Sequence, residues 1–146
     1  MKSVFALAIL FASSVSFAHV QAGTFTGKDQ NGKACSFTVG EEYFENNQPH
    51  PLNERLPVSG IQFDGQTVAA KEWKVGHPPV VNIEKGLVRF NHDYFQGLVT
   101  TKTGAASLIL LKTEEEVPEG HAPIGIKYIE DNYRNRQESK ILTCTL

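Results

Sequence analysis

Four histidines beyond residue 22 are the first side chains to weigh for chemistry, because imidazole serves as a general base near neutral pH and is a preferred ligand of zinc and copper. His50, His77 and His121 stand in or near proline, in Pro49-His50-Pro51, His77-Pro78-Pro79 and His121-Ala122-Pro123, whereas His92 belongs to the polar-aromatic run Asn91-His92-Asp93-Tyr94. Loop ends that converged in space would let several of them share a metal. No two stand at the spacing of a known metal motif, however, and scattered loop histidines are the commoner arrangement, so no metal ligand is assigned. Asp93 beside His92 has the composition of an orienting pair for general-base catalysis, but neighbours on a strand point to opposite faces, and only a turn brings them together. Asn91, His92 and Asp93 read more simply as that turn, with the aspartate accepting a backbone N–H. The chain has no G-x-S-x-G elbow and its two cysteines are expected to pair, so no catalytic residue is assigned and no cofactor is expected.

Carboxylates and aromatics supply the remaining candidates. Glu114-Glu115-Glu116 with Glu119 has the charge to hold a hard cation, but lacks the alternating Asp/Asn pattern and the glycine of a dedicated calcium loop. An acidic solvated turn is the simpler reading there, and for Glu41, Glu42 and Glu45 as well. Phe25, Phe37, Phe63, Phe90 and Tyr128 fall on alternating apolar faces and read as core. Tyr43, Phe44, Trp73, Tyr94 and Phe95 lie near loops or in stretches of mixed polarity, where aromatics line cavity mouths or form interface hot spots. From this group Trp73 and Tyr94, with neighbouring His92, are the expected ligand-binding residues.

The elements that position these residues read as strands. Beyond Gly23 the chain alternates with period two and is punctuated by turn signals, with no stretch of ten or more residues at helical spacing. In the first hairpin, a two-residue Asn31-Gly32 loop would set Phe25 against Thr38. A three-residue loop, Gln30-Asn31-Gly32, with Gly32 left-handed at a bulge, sets Phe25 against Phe37 and Thr24 against Thr38, and is the register expected. Asp64-Gly65 predicts a second tight hairpin with Ile61 opposite Val68. Val80 to Ile83 and Leu87 to Phe90 flank Lys85-Gly86, while Phe95 to Thr101 and Ala105 to Lys112 surround Thr103-Gly104. Ile124, Ile126 and Tyr128 alternate before the polar turn 131–135, and Leu142, Cys144 and Leu146 share one face of the last strand. Glu45 to Pro57 and Thr113 to Pro123 are the two longer connections. The expected fold is all-β, a single antiparallel β-barrel of about eight to ten strands, with a β-sandwich as the alternative.

The first twenty-two residues read as an export signal: Lys2, an apolar stretch from Val4 to Phe17 softened by serines, then small residues. The stretch is shorter and more interrupted than the roughly 20 apolar residues of a membrane span, so no transmembrane segment is expected in the mature chain. Cleavage after Ala22, with Val20 and Ala22 at the recognition positions, is preferred to cleavage after Ala18, with Ser16 and Ala18 there; the domain is then 23–146. Removing 22 of 146 residues leaves 124, one domain's worth. Lys2 leaves too, so the 14 basic side chains become 13 against 16 acidic ones, a formal charge of −3. Nucleic acid is thereby disfavoured as a partner, since phosphate binding needs a basic face. In the oxidising compartment that export implies, Cys35 and Cys144 are expected to form one structural disulfide.

The strand-to-helix signature of lipocalins is missing, and with Trp73 the single tryptophan, so is a streptavidin-like spacing of ligand tryptophans. The leading expectation is an exported, periplasmic or secreted, non-enzymatic binding module that recognises a small ligand or an envelope protein. An exported hydrolase or metal-dependent enzyme using the loop histidines is the alternative. A small outer-membrane barrel comes third, disfavoured by Arg89, Lys127 and Thr143 on faces that would have to meet lipid.

Overall fold

The structure, a computed structural model, describes residues 20–69, 72–77, 79–82, 87–90, 94–113 and 120–146. The period-two alternation becomes twelve strands among the described residues: β1 (Gly23–Asp29), β2 (Ala34–Val39), β3 (Tyr43–Phe44), β4 (Glu54–Phe63), β5 (Gln66–Ala69), β6 (Trp73–Val75), β7 (Pro79–Asn82), β8 (Leu87–Phe90), β9 (Tyr94–Thr100), β10 (Ala105–Lys112), β11 (Pro123–Asp131) and β12 (Lys140–Thr145). Ten of them form one curled antiparallel sheet in the order β3-β4-β2-β1-β12-β11-β10-β9, with β5 and β6 also on β4, while β7 and β8 pair with each other. This is the expected all-β barrel architecture, as a half-barrel rather than a sandwich of two sheets. No described helix is long and apolar enough to cross a membrane.

The first hairpin takes the expected register, Phe25 opposite Phe37 and Thr24 opposite Thr38. Its loop is Gln30-Asn31-Gly32: Asp29 accepts the N–H of Asn31 and of Lys33 on Oδ1, both at 2.8 Å, and Gly32 is left-handed at φ +75. Only the bulged turn aligns the two phenylalanines on the inner face, where their rings meet at 5.6 Å.

The second hairpin keeps its turn and changes its register. Asp64 and Gly65 are both left-handed, as a tight two-residue turn requires, but Ile61 lies opposite Ala69 rather than Val68, because the ladder shifts by one residue after Gln62–Thr67. A second irregularity sits on the other side of the same strand, where Ser36–Gln62 is followed by Thr38–Ser59. Gly60, at φ +60, takes up the extra residue as a glycine bulge. Its effect on β4 is to switch the inward set from Glu54, Leu56 and Val58 to Ile61 and Phe63. The connection expected to reach Pro57 therefore ends at Asn53, and residues 54–57 are strand. A third shift, at Leu111/Lys112, turns Ile124 outward although Ile126 and Tyr128 remain inside.

The inner faces of the curl meet in one core that includes Phe37, Leu56, Ile61, Phe95, Leu108, Leu110 and Ile126, each fully buried. β1 and β12 pair through Lys28–Thr145 and Asp29–Cys144. Cys35 on β2 and Cys144 on β12 form the expected disulfide, their Cα atoms 5.8 Å apart. Between them Gly27 presents no side chain, and a Cβ there would stand 2.1 Å from the carbonyl oxygen of Thr145. Glycine thus lets the sheet bend sharply enough for strands on either side of β1 to be bridged.

Candidate binding site at the seam of the barrel

The two sides of the curl approach at β6 and β9. Gly76 and Gln96 exchange both backbone hydrogen bonds, Gly76 N–H to Gln96 O at 3.1 Å and Gln96 N–H to Gly76 O at 2.8 Å. An antiparallel ladder continued from this pair would set Lys74 opposite Leu98. No such pairing joins the strands there, since among the described residues β6 is laddered only to β4 and β9 only to β10.

A cavity of about 510 Å³ opens in this gap. Its apolar wall comes from Val68, Trp73, Leu98, Val99, Ala106 and Tyr128, its polar rim from Glu72, Lys74 and Thr101, and its floor from Gly97. The glycine sets how closely the two strands approach: a Cβ on Gly97 would lie 3.2 Å from Cε3 of Trp73 and 3.3 Å from the Lys74 carbonyl oxygen. Trp73 is 8% exposed and meets the Tyr128 ring edge-on, centroids 6.2 Å apart. Leu98 and Val99, by contrast, are 71% and 46% exposed. An apolar hollow with few polar groups at its mouth is the usual form of a small-molecule site. Tyr128 donates to Glu130 Oε2 at 3.3 Å, and its phenol is pushed above its ordinary range by burial first, with the charge and hydrogen bond of Glu130 adding to the effect.

On the outer side of the seam a second hollow of about 430 Å³ is lined by Leu52, Arg55, Lys74, Gly76, His77, Gln96, Gly97 and Leu98. Beneath it His77 Nε2 lies 2.7 Å from Glu54 Oε2, with both side chains 1% exposed. The imidazole also packs on Phe95 at 4.3 Å between centroids, and the Lys112 ammonium lies 6.0 Å from the centroid of the same ring. Glu54 Oε1 is buried and takes no hydrogen bond among the described residues. A carboxylate that orients an imidazole is the arrangement of a general base, but a pair buried this deeply fixes the His77 ring rather than meeting a substrate.

Of the expected ligand-binding residues, Trp73 lines the seam cavity. Tyr94, half-buried at the start of β9 opposite Leu111, is not among its lining residues. His92 lies outside the described residues, as do Asp93, Glu114, Glu115, Glu116 and Glu119. The histidines that are described make different contacts: His50 caps the short turn at 51–53, its Nδ1 accepting the Leu52 N–H at 3.2 Å, His77 pairs with Glu54, and His121 is buried beside Val20. Among the described residues no group of three or more His, Cys, Asp or Glu side chains is placed to hold a metal ion. Gly97, Val99 and Ala106 did not stand out as site residues in the sequence, although an isolated glycine inside an apolar strand is itself a sign of close backbone approach. No protein-family model, curated protein or solved structure matches the chain.

Proposed function

We propose that this protein is an exported, non-enzymatic binding module that holds a small, predominantly apolar molecule in the seam between β6 and β9. The observation that carries the reading is the cavity of about 510 Å³ walled by Trp73, Tyr128, Ala106 and the exposed Leu98 and Val99, where the barrel's ladder is interrupted. Its size falls within the range that takes ligands of drug-like dimensions. Glu72 and Lys74 at the rim are the groups that would meet a polar end of such a molecule. The disulfide supports residence in an oxidising compartment, periplasmic or extracellular.

The single tryptophan makes the test direct, since all indole emission reports on the seam. Titration with an apolar fluorophore such as 8-anilino-1-naphthalenesulfonate is expected to quench Trp73 by energy transfer and to saturate at one site. Val99→Arg places a charge on the exposed lip and is expected to weaken that binding at least about tenfold, a loss near 1.4 kcal/mol, while leaving the melting temperature nearly unchanged. Absence of saturable quenching, or binding indifferent to Val99→Arg, rejects the proposal.

A further inference from the structure

We propose that the export signal is removed between Ala18 and His19, so that Val20 to Ala22 remain as a structural part of the mature domain. The inference rests on the export reading above and concerns which bond is cut. Beyond the apolar stretch Val4 to Phe17, two bonds satisfy the preference of signal peptidases for small or compact residues one and three positions before the cut: the one after Ala22, preceded by Val20, and the one after Ala18, preceded by Ser16. The fold distinguishes them.

Val20 is 5% exposed and belongs to the hydrophobic core. It forms a parallel bridge with His121, and the Gln21 N–H donates to the His121 carbonyl oxygen at 2.9 Å. These residues tie the approach to β1 to the approach to β11, two strands separated in the sheet by β12. A cut after Ala22 would withdraw Val20 from the core and deprive His121 O of that donor, both unfavourable in a buried setting. Gly23 supplies a separate argument. Its φ is +151, a conformation that residues with side chains rarely adopt. A φ angle exists only where a residue precedes, so glycine is demanded at position 23 only while Ala22 is attached. In the step itself, water adds at the Ala18 carbonyl and the Ala18–His19 amide breaks. Ala18 leaves as the carboxylate end of the signal fragment, and His19 carries the new α-amino group.

The test is the intact mass of the protein recovered from the envelope fraction of a Gram-negative host expressing the full chain. A mass corresponding to residues 19–146 is expected, and one corresponding to 23–146 overturns the inference while leaving export standing. Full-length chain confined to the cytosol overturns export and, with it, this inference. Ala18→Lys is expected to arrest processing and Ala22→Lys to leave the cut in place; the reverse pattern rejects the assignment. Gly23→Ala is expected to lower the melting temperature by about 3 to 6 °C, whereas a free amino end at position 23 would tolerate it unchanged.

Discussion

Trp73 and Tyr94 look alike in the sequence, each an aromatic beside a loop, yet they occupy different settings. Trp73 is buried against Tyr128 and Gly97, and Tyr94 is only half-buried. Trp73→Ala is therefore expected to cost about 3 to 5 kcal/mol, as a fully buried phenylalanine such as Phe37 would, and Tyr94→Ala clearly less, as read from thermal or denaturant melts. The Glu54–His77 pair was legible in principle. Extending the inward parity of Leu56 and Val58 back two residues reaches Glu54, and extending that of Trp73 and Val75 forward reaches His77. It was hidden because charged and imidazole side chains are rarely buried, so the alternation is naturally cut short at them. His77→Ala strands a buried carboxylate and is expected to destabilise by about 3 to 5 kcal/mol, whereas replacing both partners by apolar residues should recover much of that loss. Tyr128 carries a pH signature. Its phenol, raised above the ordinary 10.0 by burial and by Glu130, holds its proton more tightly folded than unfolded. Its contribution to stability is complete below that pH and falls as pH rises beyond it through the folded-state value. In a spectrophotometric alkaline titration one tyrosine is expected to ionise late, and Tyr128→Phe should remove that late step.

Turns and hairpins were the most readable elements, because glycine, asparagine and aspartate act locally. Asn31-Gly32 and the pairing of Phe25 with Phe37 fix the first register without reference to the rest of the chain. The bulges were not readable. At Gly60 the side-chain parity of β4 reverses, so Val58 and Ile61 both face inward at a spacing that simple alternation assigns to opposite faces. The shift near Val68 and the outward turn of Ile124 have the same origin, an extra residue that only the partner strand reveals. Gly60→Val forces a β-branched side chain into the left-handed region. It is expected to lower stability by about 1 to 3 kcal/mol, with Gly32→Ala, at a surface turn with open space around it, costing less. Chemical denaturation of the two variants would show the order.

The seam belongs to the whole barrel and has no local sequence signal. Trp73 and Ala106 are 33 positions apart and meet only because the sheet curls until its sides touch at Gly76 and Gln96. The disulfide is the opposite case, since the export reading of residues 1–22 and cysteine parity suffice to foresee it. Reduction is expected to cost about 4 to 5 kcal/mol by chain entropy, and alkylation of the unreduced native protein should label neither Cys35 nor Cys144. The same bridge governs how the molecule responds to mechanical force. Tension applied between its two ends can peel β1 from β12, but it then meets the covalent link and goes no further while the sulfurs stay oxidised. The 109 steps between the cysteines are shielded from the load. In single-molecule stretching, adding a reductant should release roughly 360 to 390 Å of hidden contour length in a step absent from the oxidised protein. For a domain anchored or captured at its ends, the strength of the chain under pulling is then set by the redox state of its surroundings rather than by its β-sheet.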